Sequence, residues 1–78
     1  MPMAFVMINT EIGSEKEVLD KLRAIEEVKE SCIVYGIHDI ATKIVTDSMD
    51  KLDEIVTLVR NLDKIEATVT LILIEGEK

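Results

Sequence analysis

The stretch 35–43, YGIHDIATK, gathers the side chains of this sequence best suited to chemistry. It holds the sole histidine, His38, beside the carboxylate of Asp39, one of three glycines, Gly36, and the sole tyrosine, Tyr35. The sole cysteine, Cys32, stands just before it. A metal site or a nucleophile with its base would need more than this. One His and one Cys cannot close a tetrahedral zinc site within one chain, and a lone Cys forms no internal disulfide. Nothing at a recognisable spacing orients a Cys32–His38 catalytic pair. Cys32 lies in the apolar run SCIVY and reads as a small packed residue, not a reactive thiol. His38 reads as an exposed turn residue, with contact to a small ligand or a shared inter-subunit metal as the sharper alternatives. Gly36 reads as the source of a positive φ, and Asp39 as a partner of turn backbone or of a ligand. Thr68 and Thr70, in ATVTLILIE, stand two apart and so share one face of a strand, where threonine is also a good strand former.

The elements that position these residues follow from hydropathy patterning. MAFVMI (3–8) is an apolar run of strand length. Ser14 with Glu17 forms a capping-box pattern, and Val18, Leu19, Leu22 and Ile25 recur at helical spacing; together they predict a helix over 14–27. SCIVY (31–35) and IATKIVT (40–46) read as two strands joined by the turn 36–39. Asp47 or Ser48 caps a second helix, with Leu52, Ile55, Val56, Val59 and Leu62 on one face. It runs to about residue 62, with Lys64 near its negative pole. ATVTLILIE (67–75) is the last strand, and the tail GEK is expected to fray. The order β-α-β-β-α-β is that of the ferredoxin-like, split βαβ motif. Right-handed crossovers place both helices on one face of an antiparallel four-stranded sheet of order 4-1-3-2. One α+β domain spans 1–78. In this topology the turn 36–39 and the start of the last strand, with Thr68 and Thr70, lie at the same end of the sheet.

Composition bounds what such a domain does. The chain has 78 residues, 47% of them hydrophobic. A domain of this size buries only about 60% of its unfolded surface, so the apolar supply exceeds the interior. The first strand and the end of the last do not alternate as a half-solvated sheet should. An uncovered apolar face of roughly 300 Å² follows from four strands about 17 Å long, large for a small monomer. Oligomerisation uses that surplus, and the expected form is a dimer packed sheet against sheet, with Tyr35 at the interface. The net charge is -7, from nine basic and sixteen acidic residues, and no cluster of Lys and Arg supplies what nucleic-acid binding needs, so direct DNA binding is not expected. The acidic helix faces (Glu15, Glu17, Asp20, Glu26, Glu27) read as solvated surface. No basic region precedes the first apolar run, as a signal peptide would require. No run approaches the ~20 apolar residues of a membrane span. A soluble cytoplasmic protein is the expectation.

Two segments, VKESCIVYGIHDIATKIVTDSMDKLDEIV and IEATVTLIL, resemble the effector (RAM) domain of the Lrp/AsnC family of transcriptional regulators. The first is similar to that family's valine-rich strand, Gly-x-x-Asp turn and Asp-capped helix, the second to its Thr-x-Thr strand. The resemblance covers nearly the whole chain. It implies a stand-alone form of the domain, since the first strand begins by residue 3 and leaves no room for the helix-turn-helix of full-length members. It also implies sheet-to-sheet dimers, their assembly into octamer-like rings, and an amino acid or related small effector bound between subunits. Co-assembly with full-length regulators is a further implied partnership. On this resemblance Gly36 and Asp39 map to the effector loop, and Thr68 and Thr70 to a polar pair on the last strand. His38 stands where the family often carries an aromatic residue, and Ile37 at a position that is often polar. A zwitterion in such a site needs donors for its carboxylate, which backbone N–H groups and threonine hydroxyls provide. It also needs an acceptor for its ammonium, which Asp39 provides. No cofactor is required and none is expected.

Two rivals stand beside this reading. Dimeric ferredoxin-like barrels include small monooxygenases and isomerases, but one His, one Tyr, one Phe and no Trp leave little to line a catalytic pocket. A ligand-free assembly partner differs only in an empty inter-subunit site. The expected function is effector binding and oligomerisation without enzymatic activity, through Gly36, His38, Asp39, Thr68 and Thr70.

Overall fold

The computed structural model describes residues 1–74; the expectation for the GEK tail lies outside them. Six elements follow in order: β1 (Met3–Thr10), α1 (Glu15–Arg23), β2 (Val28–Ile33), β3 (Ile40–Val45), α2 (Met49–Arg60) and β4 (Ile65–Leu73). The strands form one antiparallel sheet of order β2-β3-β1-β4, the expected ferredoxin-like arrangement. β1 is apolar almost throughout, yet its burial alternates strictly. Ala4, Val6 and Ile8 are completely buried, whereas Met3, Phe5 and Met7 are half-buried. The buried set packs with Val18, Leu19 and Leu22 of α1, Leu52, Ile55, Val56 and Val59 of α2, and Ile40 and Ile44 of β3. The core therefore sits between the helices and one face of the sheet.

Element boundaries differ from the pattern-based reading in instructive ways. α1 ends at Arg23, not at residue 27, because the chain must turn to begin β2 at Val28. Ala24 and Ile25 donate N–H to carbonyls three residues back, Lys21 and Leu22, tightening the last turn. Ser14 lies at the start of α1 with φ -102° and ψ 8° and makes no side-chain cap bond. The capping box suggested by Ser14 and Glu17 is not formed, since a capping hydroxyl needs extended backbone. Ser48 has that conformation, φ -145° and ψ 159°, and its Oγ accepts from the Lys51 N–H. Arg60, not Lys64, supplies the cation in the last turn of α2. Lys64 lies four residues beyond the helix in the left-handed region, φ 74°, and its carbonyl accepts from the Glu11 N–H at 2.9 Å.

Cys32 is exposed, not packed. It lies on β2, an edge strand, opposite Ala41 and therefore on the face away from the helices. An edge strand with one bare face buries little: of its six residues only Ser31 is buried. That also explains why β2 accommodates Lys29 and Glu30.

Candidate functional site

Residues 34–39 connect β2 to β3, and their conformation is set by hydrogen bonds to the end of β1. The Val34 N–H donates to the Asp39 carbonyl at 2.9 Å, closing the loop on itself. The Asp39 N–H donates to the Ile8 carbonyl at 2.9 Å. The Asp39 carboxylate accepts the Thr10 N–H through Oδ2, also at 2.9 Å. Asn9 completes the anchoring. Its Nδ2 donates to the Ile37 carbonyl at 2.8 Å, and its Oδ1 lies 3.0 Å from Nδ1 of His38. The bond to Thr10 falls where the β1–β4 register shifts, between Asn9 and Thr10, so a carboxylate secures a backbone group where ladder pairing is irregular.

Each expected site residue has a definite place. Gly36 is exposed with φ 151°, and a Cβ there would meet no atom within 4 Å. Its constraint is therefore backbone conformation and not space, as the turn reading anticipated. Asp39 is half-buried and tethered, with Oδ1 outside the network. His38 is half-buried and bonded to Asn9, where the sequence suggested an exposed turn residue. Tyr35 and Ile37 project fully or almost fully into solvent.

Thr68 and Thr70 are half-buried on β4. They face the helix side, because Thr68 pairs with Ile8 and Thr70 with Val6, both core residues. Ile8 also pairs with Ile40, the residue after Asp39. The loop and Thr68 thus share one end of the sheet, as expected, with β1 between them at about 10 Å for two strand spacings. The loop's hydrogen bonds run to β1 and not to β4. Within one chain these two groups do not converge; a ligand touching both would need a second chain.

The residue the sequence reading missed is Asn9. Its signal was its type: an amide interrupting the run MAFVMI-N at a position whose neighbours on the same face, Met7 and Ala67, are apolar. Beside Asn9 the open face of the sheet carries Met3, Phe5 and Met7 of β1, Ala41 and Val45 of β3, and Val69, Leu71 and Leu73 of β4. Val69 and Leu71 are 48% and 54% exposed. The polar groups on this face include Lys43, paired across the strands with Glu30. Among the described residues no group of three or more His, Cys, Asp or Glu is placed to hold a metal. Nor is any helix there long and apolar enough to cross a membrane.

The comparisons agree with the fold. No curated protein matches the chain. Among solved structures, FFRP-DM1 is 41% identical over 95% of this chain and 100% of its own, with a TM-score of 0.89. A hypothetical protein, PHS023 from Pyrococcus horikoshii, is 40% identical over 97% of this chain and 93% of its own, at 0.90. AsnC of E. coli is 26% identical over 96% of this chain at 0.84, and this chain spans 52% of it. The model of the Lrp/AsnC ligand binding domain matches residues 3–78. A βαββαβ chain whose anchored loop and β4 hydroxyls share one sheet end, matched by that model over nearly its full length, belongs to the Lrp/AsnC ligand-binding domain family, a regulatory and not an enzymatic family.

Proposed function

We propose that this protein is an effector-sensing assembly module. Copies pair through their open sheet faces, and a small amino-acid-like effector binds where the loop 34–39 of one copy meets Thr68 and Thr70 of another. The observation that carries the reading is the position of an anchored loop, with one carboxylate oxygen of Asp39 uncommitted among the described residues, beside an apolar sheet face that none of them covers. That oxygen offers a charge-assisted bond to an ammonium. The backbone N–H groups of the exposed residues around Gly36 and the threonine hydroxyls suit a carboxylate. Dimers close into larger rings, and the assembly regulates by combining with full-length regulators and not by touching DNA, which a chain of net charge -7 repels.

The direct test is calorimetric titration with each of the twenty amino acids, run beside light scattering. At least one amino acid binds, to a species at least twice 8.8 kDa. Silence from all twenty with a multimer present would leave a ligand-free assembly partner; a monomer would remove the shared site. The informative variant is Asp39→Asn. It keeps an acceptor for the Thr10 N–H and removes the charge. The fold stays intact and affinity falls about ten- to a hundredfold, the value of a charged hydrogen bond.

A further inference from the structure

The hydrogen bonds around Asn9 determine more than the loop's position. The Ile37 carbonyl can only accept, so the Asn9 atom facing it at 2.8 Å must be the amide nitrogen. The other amide atom, 3.0 Å from His38 Nδ1, is therefore the oxygen, which also can only accept. It follows that His38 Nδ1 carries the proton. In a neutral imidazole the remaining nitrogen, Nε2, then holds a lone pair. This is the reverse of the tautomer that predominates for a free histidine side chain in water. Nε2 takes no part in the loop's network, and the ring is only half-buried.

We propose that the Asn9–His38 pair sets effector choice: Asn9 holds His38 as the Nδ1–H tautomer, and Nε2 accepts a hydrogen bond from an effector whose side chain carries a donor. The inference rests on the effector-site reading above and names its ligand class. The loop then offers two acceptors, Asp39 Oδ1 for the ammonium and His38 Nε2 for a second donor. An amino acid ending in an amide or hydroxyl satisfies both. An aliphatic one leaves Nε2 desolvated and unpaired, which selects against it. Asn9 is a positioning residue here; His38 is the one that touches the ligand.

Two measurements test it on the full chain. Long-range 1H–15N correlation at alkaline pH reads the tautomer directly, with or without effector. The expected spectrum shows a protonated Nδ1 and a lone-pair Nε2 in the wild type, moving toward the opposite tautomer in Asn9→Ala. A protonated Nε2 in the wild type overturns the proposal. Titration then compares glutamine with methionine, similar in length and differing in a terminal donor. Glutamine binds about tenfold more tightly to the wild type. His38→Phe, which leaves Asp39 and the backbone bonds of the loop in place, abolishes that preference by lowering glutamine affinity toward that of methionine. Equal binding of the two by the wild type overturns this inference and leaves the effector reading standing. Absence of binding by every amino acid overturns both.

Discussion

The two faces of this sheet are built from the same kinds of residue and end in opposite states. Along β1, Ala4, Val6 and Ile8 point to the helices and are completely buried, while Met3, Phe5 and Met7 point the other way and stay half-buried. On β4 the polarity even runs against burial. Thr68 and Thr70 lie on the helix side, and Val69, Leu71 and Leu73 on the open side. Two helices of nine and twelve residues cover only part of one face. The helix-side residues stabilise the single chain; among the described residues no element covers the open side, the face that the proposed pairing of copies would bury. Apolar content alone therefore does not reveal what holds one chain together.

Substitution in β1 tests this division most severely. Ile8 is fully buried on the helix side, so Ile8→Ala should cost about 2–5 kcal/mol, much of the stability of a domain this small. Urea denaturation should show this as a large fall in midpoint. The neighbouring Met7→Ala should cost much less under conditions where the chain is monomeric. Equal losses would break the comparison.

On the open side the expected failure is of association. Leu71→Asp puts a carboxylate into the face proposed to meet its copy, and burying it unpaired would cost about 3–5 kcal/mol. Light scattering should show dissociation toward 8.8 kDa, with far-UV circular dichroism retained. A Leu71→Asp chain that still dimerises would mean that another surface pairs the copies.

Local patterns and the strand order they imply were legible, whereas individual long-range side-chain contacts were not. The strand and helix order followed from the runs 3–8 and 40–46 and from the helical spacing of Val18, Leu19 and Leu22. The failure of β1 to alternate also pointed to a second apolar face. Asn9 escaped notice because its partners, Ile37 and His38, lie 28 and 29 residues away and no local pattern encodes them. Cys32 was misjudged because an apolar neighbourhood in sequence does not say which strand lies at an edge. Ser14 shows that a motif is not yet a bond: the S-x-x-E pattern is present, but its backbone angles keep the hydroxyl from capping. The gathering of Thr68 and Thr70 with the loop at one sheet end was legible from topology. That they face the helix side required the β1–β4 register.

The smallest expected effects sharpen the comparison within the helix side itself. Thr42 and Thr70 occupy one cross-strand row on either side of Val6. Thr42 is 2% exposed and its Oγ1 is buried without a hydrogen-bond partner among the described residues, whereas Thr70 lies half-exposed on the outer strand. Thr42→Val removes an unsatisfied hydroxyl at nearly constant volume, so it should raise stability by about 1 kcal/mol. Thr70→Val changes a hydroxyl that water still reaches and should stay within about 0.5 kcal/mol of the wild type. Urea midpoints measured at equal protein concentration give both values. If Thr42→Val destabilises, the hydroxyl has a partner in solution and the row is wetter than its burial implies. If Thr70→Val proves neutral in stability while weakening amino-acid binding, then this threonine serves the ligand, and the uncovered end of the helix side belongs to the functional site.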